Sequence, residues 1–594
     1  MPFPEAKPLR ETQVGFVQSY EDLQEFFRWL GEKRDVLALD TETSGLDPYE
    51  PRSRIRLFQC GDVNTAFVID NERWPGVLFE VLERYQGQMV WHNVAFDAKW
   101  IRVLYPQLKF PWSRTNDTML AHQLHDNEAP AALKTIARRL WGPSAVAGQD
   151  MLTATMAATK TDWATVPLEA PAYQIYSGVD VILTARLYRE LHEVHSGRFK
   201  RPYELEMQTR RICNQMEYRG MQVDLEFCSN KAKQLEEYVE KAIEYAQATW
   251  GVKLGSTRDL GIWFTSQGAD ILEVTGTGQP KMDEDSLKHL INQGYELADL
   301  ALKARKATKI KSAFLDNFLK FSANSNGIVH PQIRTMAART GRMSIKDPAL
   351  QTLPRDDESV RPSIIPHKGE VLLSSDLDQV EFRFISALSG DEGLKELFET
   401  ADLVGPDVFT QLGQEIFEDP SMQKKDPRRA IIKTLIYARN YGAGIPKQAL
   451  SAGIPVAQMQ AISDSFDSRY PKLNEFNTKL IRKMNDMIRS GERPYVETYT
   501  GRRLYIDRDK AYTAGNYLVQ GSCAEVMKNN LIDMSMSGLD EYMLVPVHDE
   551  VILSVPPEEV EDVRQTVKEC MTTTDFSIVL PADCSEGMSR WRKL

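Results

Sequence analysis

Along the chain the hydrophobic positions switch between a period of two and a period near 3.6, so strands and helices are expected to alternate. Residues 11–35 read as a strand and then a short amphipathic helix with Leu23, Phe26, Phe27 and Leu30 on its apolar side. An apolar strand run at 36–39 follows, and Asp40 and Glu42 come after it at period two, which points both carboxylates to one side. A second short strand, Met89–Trp91, precedes Asn93 and Asp97, one helical turn apart. Tyr176 and Asp180 stand at i, i+4 and share a helix face. Long helical patterns occupy 202–250 and 284–322. The run Val371, Leu372, Leu373 is a buried strand that delivers Asp376 to its end, where Phe382, Phe384, Ile385 and Leu388 begin a helix. At 542–555 two apolar strand runs are interrupted by His548, Asp549 and Glu550, a hairpin with carboxylates at its turn.

Composition narrows the setting. A chain of 594 residues is too long for one core, so several domains are expected. Hydrophobic content of 42% with a mean hydropathy of -0.40 suits a water-soluble protein, and no run approaches a membrane span. The N-terminal MPFPEAKPLR lacks the apolar core of a secretory signal. Six scattered cysteines without a CxxC pair argue for reduced thiols and against zinc, so a cytoplasmic location is expected. Net charge is -12, yet two basic clusters occur: Lys303, Arg305, Lys306, Lys309 and Lys311, and Lys424, Lys425, Arg428, Arg429 and Lys433. Each reads either as a solvated face or as a local phosphate footprint.

Candidate chemistry then decides among these readings. Asp376 alone would be an ordinary strand-end or capping aspartate. With Asp549 on a second strand end, two hard-oxygen sites suit a pair of magnesium ions. Near 426 a strong helix begins, with Asp426 as N-cap and Pro427 in its first turn, and with Gly442 or Gly444 to end it. Arg429, Lys433, Tyr437 and Tyr441 recur every four residues along one drifting face. Two cations near a helix start make a triphosphate site, and two tyrosines further along offer a stacking surface.

The segments from Asp376 to Arg383 and from Val547 to Glu550 resemble the first and last polymerase motifs of family A DNA polymerases, and the likeness runs from about residue 36 to the C-terminus. Asp40, Glu42, Asp97 and Asp180 with Tyr176, spaced as DxE, NxxxD and YxxxD, resemble the DnaQ-like 3′-5′ exonucleases. The resemblance implies a multidomain α/β and α+β chain. A ribonuclease H-like exonuclease domain would occupy 1–200, and a right-hand polymerase domain 201–594, with the thumb at about 201–329, the palm at about 330–390 and 491–594, and the fingers at about 391–490. The segment MEYRGMQVD, 216–224, resembles a family A stretch that follows the exonuclease domain. Only about 35 residues precede the exonuclease strand, so no 5′ nuclease domain is expected.

The same resemblance assigns roles. Asp376 and Asp549 would bridge two Mg2+ ions, with Mn2+ as a substitute and Glu550 in a lesser catalytic role. Arg429 and Lys433 would bind the incoming triphosphate, and Lys433 is a candidate proton donor to the leaving pyrophosphate. Glu381 would crowd a ribose 2′ hydroxyl, and Tyr441 would sit by the templating base. Tyr437 stands where relatives have phenylalanine or tyrosine, and tyrosine goes with acceptance of dideoxynucleotides. Arg342, Gln351, Asn516, Gln520 and His548 match residues along primer and template; minor-groove acceptors are shared by all correct pairs, so donors there test pair shape. In the exonuclease the four carboxylates would hold two metal ions and Tyr176 would orient the attacking water, while Leu46, Asn93 and Phe96 would hold the primer end.

Three positions depart from the family pattern: Leu377 and Asp378, where an aromatic and a serine are common, and Phe409, where a histidine often lies near the triphosphate. Asp378 is expected to face solvent. The expected function is a DNA-dependent DNA polymerase with proofreading, replicative in a phage, with a bacterial or organellar repair enzyme as the alternative. An RNA polymerase on the same fold and a catalytically silent nucleic-acid-binding scaffold are the other readings. Primer-template DNA and deoxynucleoside triphosphates are the expected partners, helicase, single-strand-binding and processivity proteins are candidates, no membrane is involved, and a monomer is expected.

Overall fold

The computed structural model describes residues 12–592 apart from 33, 354–358 and 404. Expectations touching the N-terminal MPFPEAKPLR and the polar segment's end at Pro354 and Arg355 therefore lie outside the described residues.

A six-stranded sheet organises the N-terminal part, in the order Gln13–Val17, Thr65–Asp70, Ile55–Gly61, Leu37–Thr43, Met89–Trp91, Thr115–Asp117. Strand parity divides its side chains between two cores. Leu37 and Leu39 pack with Val77, Leu78, Val81 and Ile101 on one face. Ala38 packs with Val181, Ile182 and Ala185 of the helix Pro171–Glu190 on the other. Asp40 and Glu42 continue the even positions, so they face the helix that carries Tyr176 and Asp180. The strand itself runs through both acids to Thr43, further than the apolar run 36–39 predicts, because the pairing with Ile55–Gly61 continues beyond the hydrophobic stretch.

The helix Lys200–Arg219 packs on both halves of the chain. Its Tyr203 hydroxyl accepts from the Asp117 backbone N–H at 2.9 Å on the sheet side. Its polar residues Glu206, Arg210 and Glu217 are buried on the other. The helical pattern 202–250 is broken by Gly220, at φ +69, where a Cβ would strike Ile328 and His330. The strand Met221–Val223 follows, and Leu225–Trp250 resumes the helix. That helix joins Thr257–Ser266, Glu284–Asn292 and Glu296–Ile310 around a small core of their own, which includes Phe264, Leu287 and Leu290.

The C-terminal part is built on a four-stranded antiparallel sheet ordered Met543–Val547, Glu550–Val555, Val371–Leu377, Ala582–Cys584. The helices Ala514–Met536 and Val560–Met571 share its core. The predicted hairpin at 542–555 is present with His548 and Asp549 at its turn, and the predicted helix is Pro427–Asn440, capped by Asp426 onto the Arg428 N–H at 2.8 Å.

The two basic clusters are less free than their spacing suggests. Lys303 pairs with Asp299 at 2.6 Å and Lys311 with Asp316 at 3.1 Å. Arg428 pairs with Asp419 and Asp426 at 2.6 and 2.7 Å, and Arg429 with Asp407 at 2.8 Å. Neighbouring carboxylates, far off in sequence or one turn away, neutralise much of each cluster. Among the described residues no helix is long and apolar enough to cross a membrane.

Candidate active sites

Asp40, Glu42 and Asp180 each bring a carboxylate oxygen within 4.8 Å of the other two. Asp97 adjoins them, accepting from the Thr41 backbone N–H at 3.0 Å and from its hydroxyl at 2.6 Å. Burial pushes Asp40 up to about 7, and burial together with the charge of Asp40 holds Glu42 and Asp97 well above the carboxylate range. Buried like charges this close need a cation between them, and an all-oxygen donor set fits a hard divalent ion. Within the described residues the Lys134 ammonium supplies positive charge. It pairs with Asp180 and lies 4.2 Å over the Tyr176 ring, and burial lowers it to about 8 against the pull of Glu42 and Asp40.

The flanking residues expected to hold a primer end are less uniform. Leu46 is 88% exposed. Phe96 is half-buried, packed 6.1 Å from Trp100. Asn93 is the left-handed N-cap of Val94–Leu104, its backbone N–H held by Asp117 at 3.0 Å.

The second site is a cleft of about 480 Å³ in the C-terminal part. Strand register sets Asp376 opposite Glu550, and the Leu377 N–H donates to the Asp549 carbonyl at 3.1 Å. His548 takes a left-handed φ of +59 to make the tight turn, so Asp376 and Asp549 line one cleft although they are 173 positions apart in the chain. Glu550 is braced rather than free: it accepts from the Ser374 hydroxyl, from the Trp591 indole at 2.7 Å and from Arg361 at 3.3 Å. On the facing wall stand Arg429, Lys433, Tyr437 and Tyr441. The cations Arg429 and Lys433 lie 5.6 and 5.9 Å over the Phe409 ring, so the residue that replaces the family's histidine forms an apolar floor beneath them. Glu381 is buried and ion-paired with Arg342, and burial raises the Tyr441 phenol while the neighbouring Arg342 draws it down.

The family model described as DNA polymerase family A matches residues 225–593, well over half of the chain. The chain is a family A DNA polymerase. A model described as 3′-5′ exonuclease matches residues 14–195, so the polymerase carries that domain as well. It is similar to the DNA polymerase of Mycobacterium phage L5, 28% identical over 600 residues that cover 98% of this chain and 97% of the relative. It is 26% identical to DNA polymerase I of Pseudomonas aeruginosa, covering 96% of this chain and 66% of that one. The solved POL domain of Pol1 from M. smegmatis, in complex with DNA primer-template and dNTP, has the same fold: TM-score 0.79 at 22% identity, over 97% of this chain and 99% of that one.

Asp378 keeps a side chain 43% exposed, in line with the expectation that it faces solvent, and it has a partner as well. Its carboxylate accepts from Arg383 at 2.9 Å, and Arg383, only 1% exposed, also donates to Asp402 at 2.6 Å. A buried guanidinium needs acceptors, and the aspartate supplies one. Leu377 is buried in the strand. Gln351, Asn516 and Gln520 are half-buried, and all three lie outside the cleft lining of the polymerase. Residues that pattern reasoning missed include Lys134, Asp117, Arg361 and three members of a buried quartet, Glu206, Glu525 and Lys528; the fourth, Arg502, reads only as a residue near the turn of the hairpin VETYTGRRLYI. None has a spacing that marks its partner.

Proposed function

We propose that the polymerase extends a DNA primer on a DNA template with deoxynucleoside triphosphates, using Mg2+, and that its exonuclease site removes misincorporated 3′ ends. The domain partition given above, exonuclease over 1–200 and thumb, palm and fingers over 201–594, belongs to this reading, as does a replicative role in a phage within the host cytoplasm. The observation that carries it is the convergence of Asp376 and Asp549 on one cleft whose opposite wall presents Arg429 and Lys433. When bound, divalent ions held by Asp376 and Asp549, and by Asp40, Glu42, Asp97 and Asp180, neutralise the charge that develops on phosphoryl oxygens.

The chain's own residues do the rest. Arg429 exchanges Asp407 for the incoming triphosphate, and Lys433 binds beside it and gives a proton to the departing pyrophosphate. The primer 3′ hydroxyl, near His548, gives its proton to solvent and attacks the α-phosphate, and the bond from the α-phosphorus to the bridging oxygen breaks as pyrophosphate leaves. Glu381 leaves no room for a 2′ hydroxyl, Tyr437 and Tyr441 flank the nascent pair, and Arg342 reaches its minor-groove edge. Gln351, Asn516 and Gln520 track the DNA beyond the cleft. In the exonuclease, Tyr176 orients the attacking water, and Leu46, Asn93 and Phe96 separate and hold the primer end.

The test is reciprocal. Asp549→Ala should abolish primer extension and leave degradation of single strands intact, whereas Asp40→Ala with Glu42→Ala should do the reverse. Extension retained by Asp549→Ala would sink the assignment. Deoxy- against ribonucleotide incorporation in the same assay separates this reading from an RNA polymerase.

A further inference from the structure

Four charged side chains are fully buried where the helix Lys200–Arg219 meets the helix Ala514–Met536. Glu206 accepts from both Arg502 and Lys528, and the Arg502 guanidinium also lies 3.1 Å from Glu525. Glu525 accepts in addition from the Thr498 hydroxyl at 2.8 Å and the Thr500 backbone N–H at 3.3 Å. Burying a charged quartet is a poor way to gain stability, since apolar side chains of equal volume usually do as well or better. A specific geometric task is the better account.

That task is visible in the remaining bond of Lys528, which its ammonium donates to the Gly341 carbonyl at 2.8 Å. Gly341 sits at φ +79 in a tight turn, its N–H bonded to the Ala338 carbonyl at 2.8 Å, and a Cβ there would collide with the Arg502 guanidinium. The quartet thus grips this turn at a position open only to glycine. From the exonuclease side, Asn127 donates to the Arg339 carbonyl at 2.9 Å. The next residue after the gripped carbonyl is Arg342, which lines the polymerase cleft and pairs with Glu381.

We propose that Lys528, set by Glu206, Arg502 and Glu525, is a positioning residue of the polymerase reaction: through the Gly341 carbonyl it aims Arg342 at the primer-terminal base pair. This rests on the reading of Arg342 given above. A side chain that tests pair shape must be held to a fraction of an ångström by the groups behind it.

A double-mutant cycle tests the route. In the exonuclease-silenced Asp40→Ala, Glu42→Ala background, single-nucleotide addition to matched and terminally mismatched primers is timed for Lys528→Met, Arg342→Ala and the double variant. Each single variant should slow matched addition by about tenfold or more and narrow the matched-to-mismatched ratio, and the double should be no slower than Arg342→Ala alone. In the chain with its exonuclease intact, Lys528→Met should degrade single strands at the parent rate. Gly341→Ala, which retains Lys528 but drives a methyl against the Arg502 guanidinium, should repeat the pattern and serves if Lys528→Met fails to fold. Multiplying effects in the double variant, or parent-rate addition by Lys528→Met, would overturn the proposal while leaving Arg342 in place. A neutral Arg342→Ala beside a slow Lys528→Met would instead remove the reading of Arg342 and the route with it.

Discussion

Position in a strand decides which way a side chain points, but its surroundings decide its charge. Asp40 and Glu42 share a side by parity, yet it is burial that raises Asp40, and burial with the neighbouring charge of Asp40 that raises Glu42. The same physics acts on His330, whose ring stacks 3.9 Å from Tyr49 and whose Nδ1 bonds the Glu217 carbonyl at 2.9 Å. Burial lowers it from 6.5 to about 4. Between those values the unfolded chain binds a proton that the folded chain does not, so stability should fall as pH drops from 6.5 towards 4. Melting temperatures across that range should decline less steeply for His330→Gln; an equal slope would clear His330 of the effect. At Tyr437 the expectation concerns selectivity: Tyr437→Phe should turn acceptance of dideoxynucleotides into rejection by about tenfold or more, which is about 1.4 kcal/mol in relative kcat/KM. Competition between deoxy and dideoxy substrates measures it.

Among elements, the helix Pro427–Asn440 followed its local signals closely, because capping, a first-turn proline and a following glycine are properties of neighbouring residues. The helix Lys200–Arg219 formed where its pattern begins, but five of its eleven buried positions are polar and their partners come from elsewhere. The contact between the helices Val380–Ser389 and Glu392–Leu403 likewise involves Arg383, which bonds Asp402 on the second helix and Asp378 just before its own. Arg383→Leu should cost about 1.5 kcal/mol by removing charge-assisted hydrogen bonds, with both half-exposed carboxylates left to solvent. Denaturant unfolding would detect it as a shifted midpoint with an unchanged slope. An unshifted midpoint would mean that solvent replaces both bonds.

For the whole molecule, the two sites are built on separate sheets, which is why each can be silenced alone. Binding of primer-template should weaken with salt in proportion to the phosphates contacted, even though the chain is acidic overall, because the footprint is local. A titration of affinity between about 50 and 200 mM salt should give a steep negative log-log slope; a flat one would count against a phosphate-lined groove. Much of the catalytic outline was legible beforehand. Motif carboxylates sit at strand ends and helix faces, where period and capping reveal them.

By itself, then, the sequence determined the alternation of strands and helices, the hairpin that carries Asp549, the capped cationic helix and the family, all of which depend on residues near each other in the chain. Tertiary structure alone decided that Lys134 sits among the exonuclease acids, that Asp407 holds Arg429, that Asp378 serves Arg383, and that Glu206, Arg502, Glu525 and Lys528 meet beneath Arg342. The physical reason is distance along the chain: a buried charge chooses its partner in space, and a partner 322 positions away, as Lys528 is from Glu206, leaves no periodic trace.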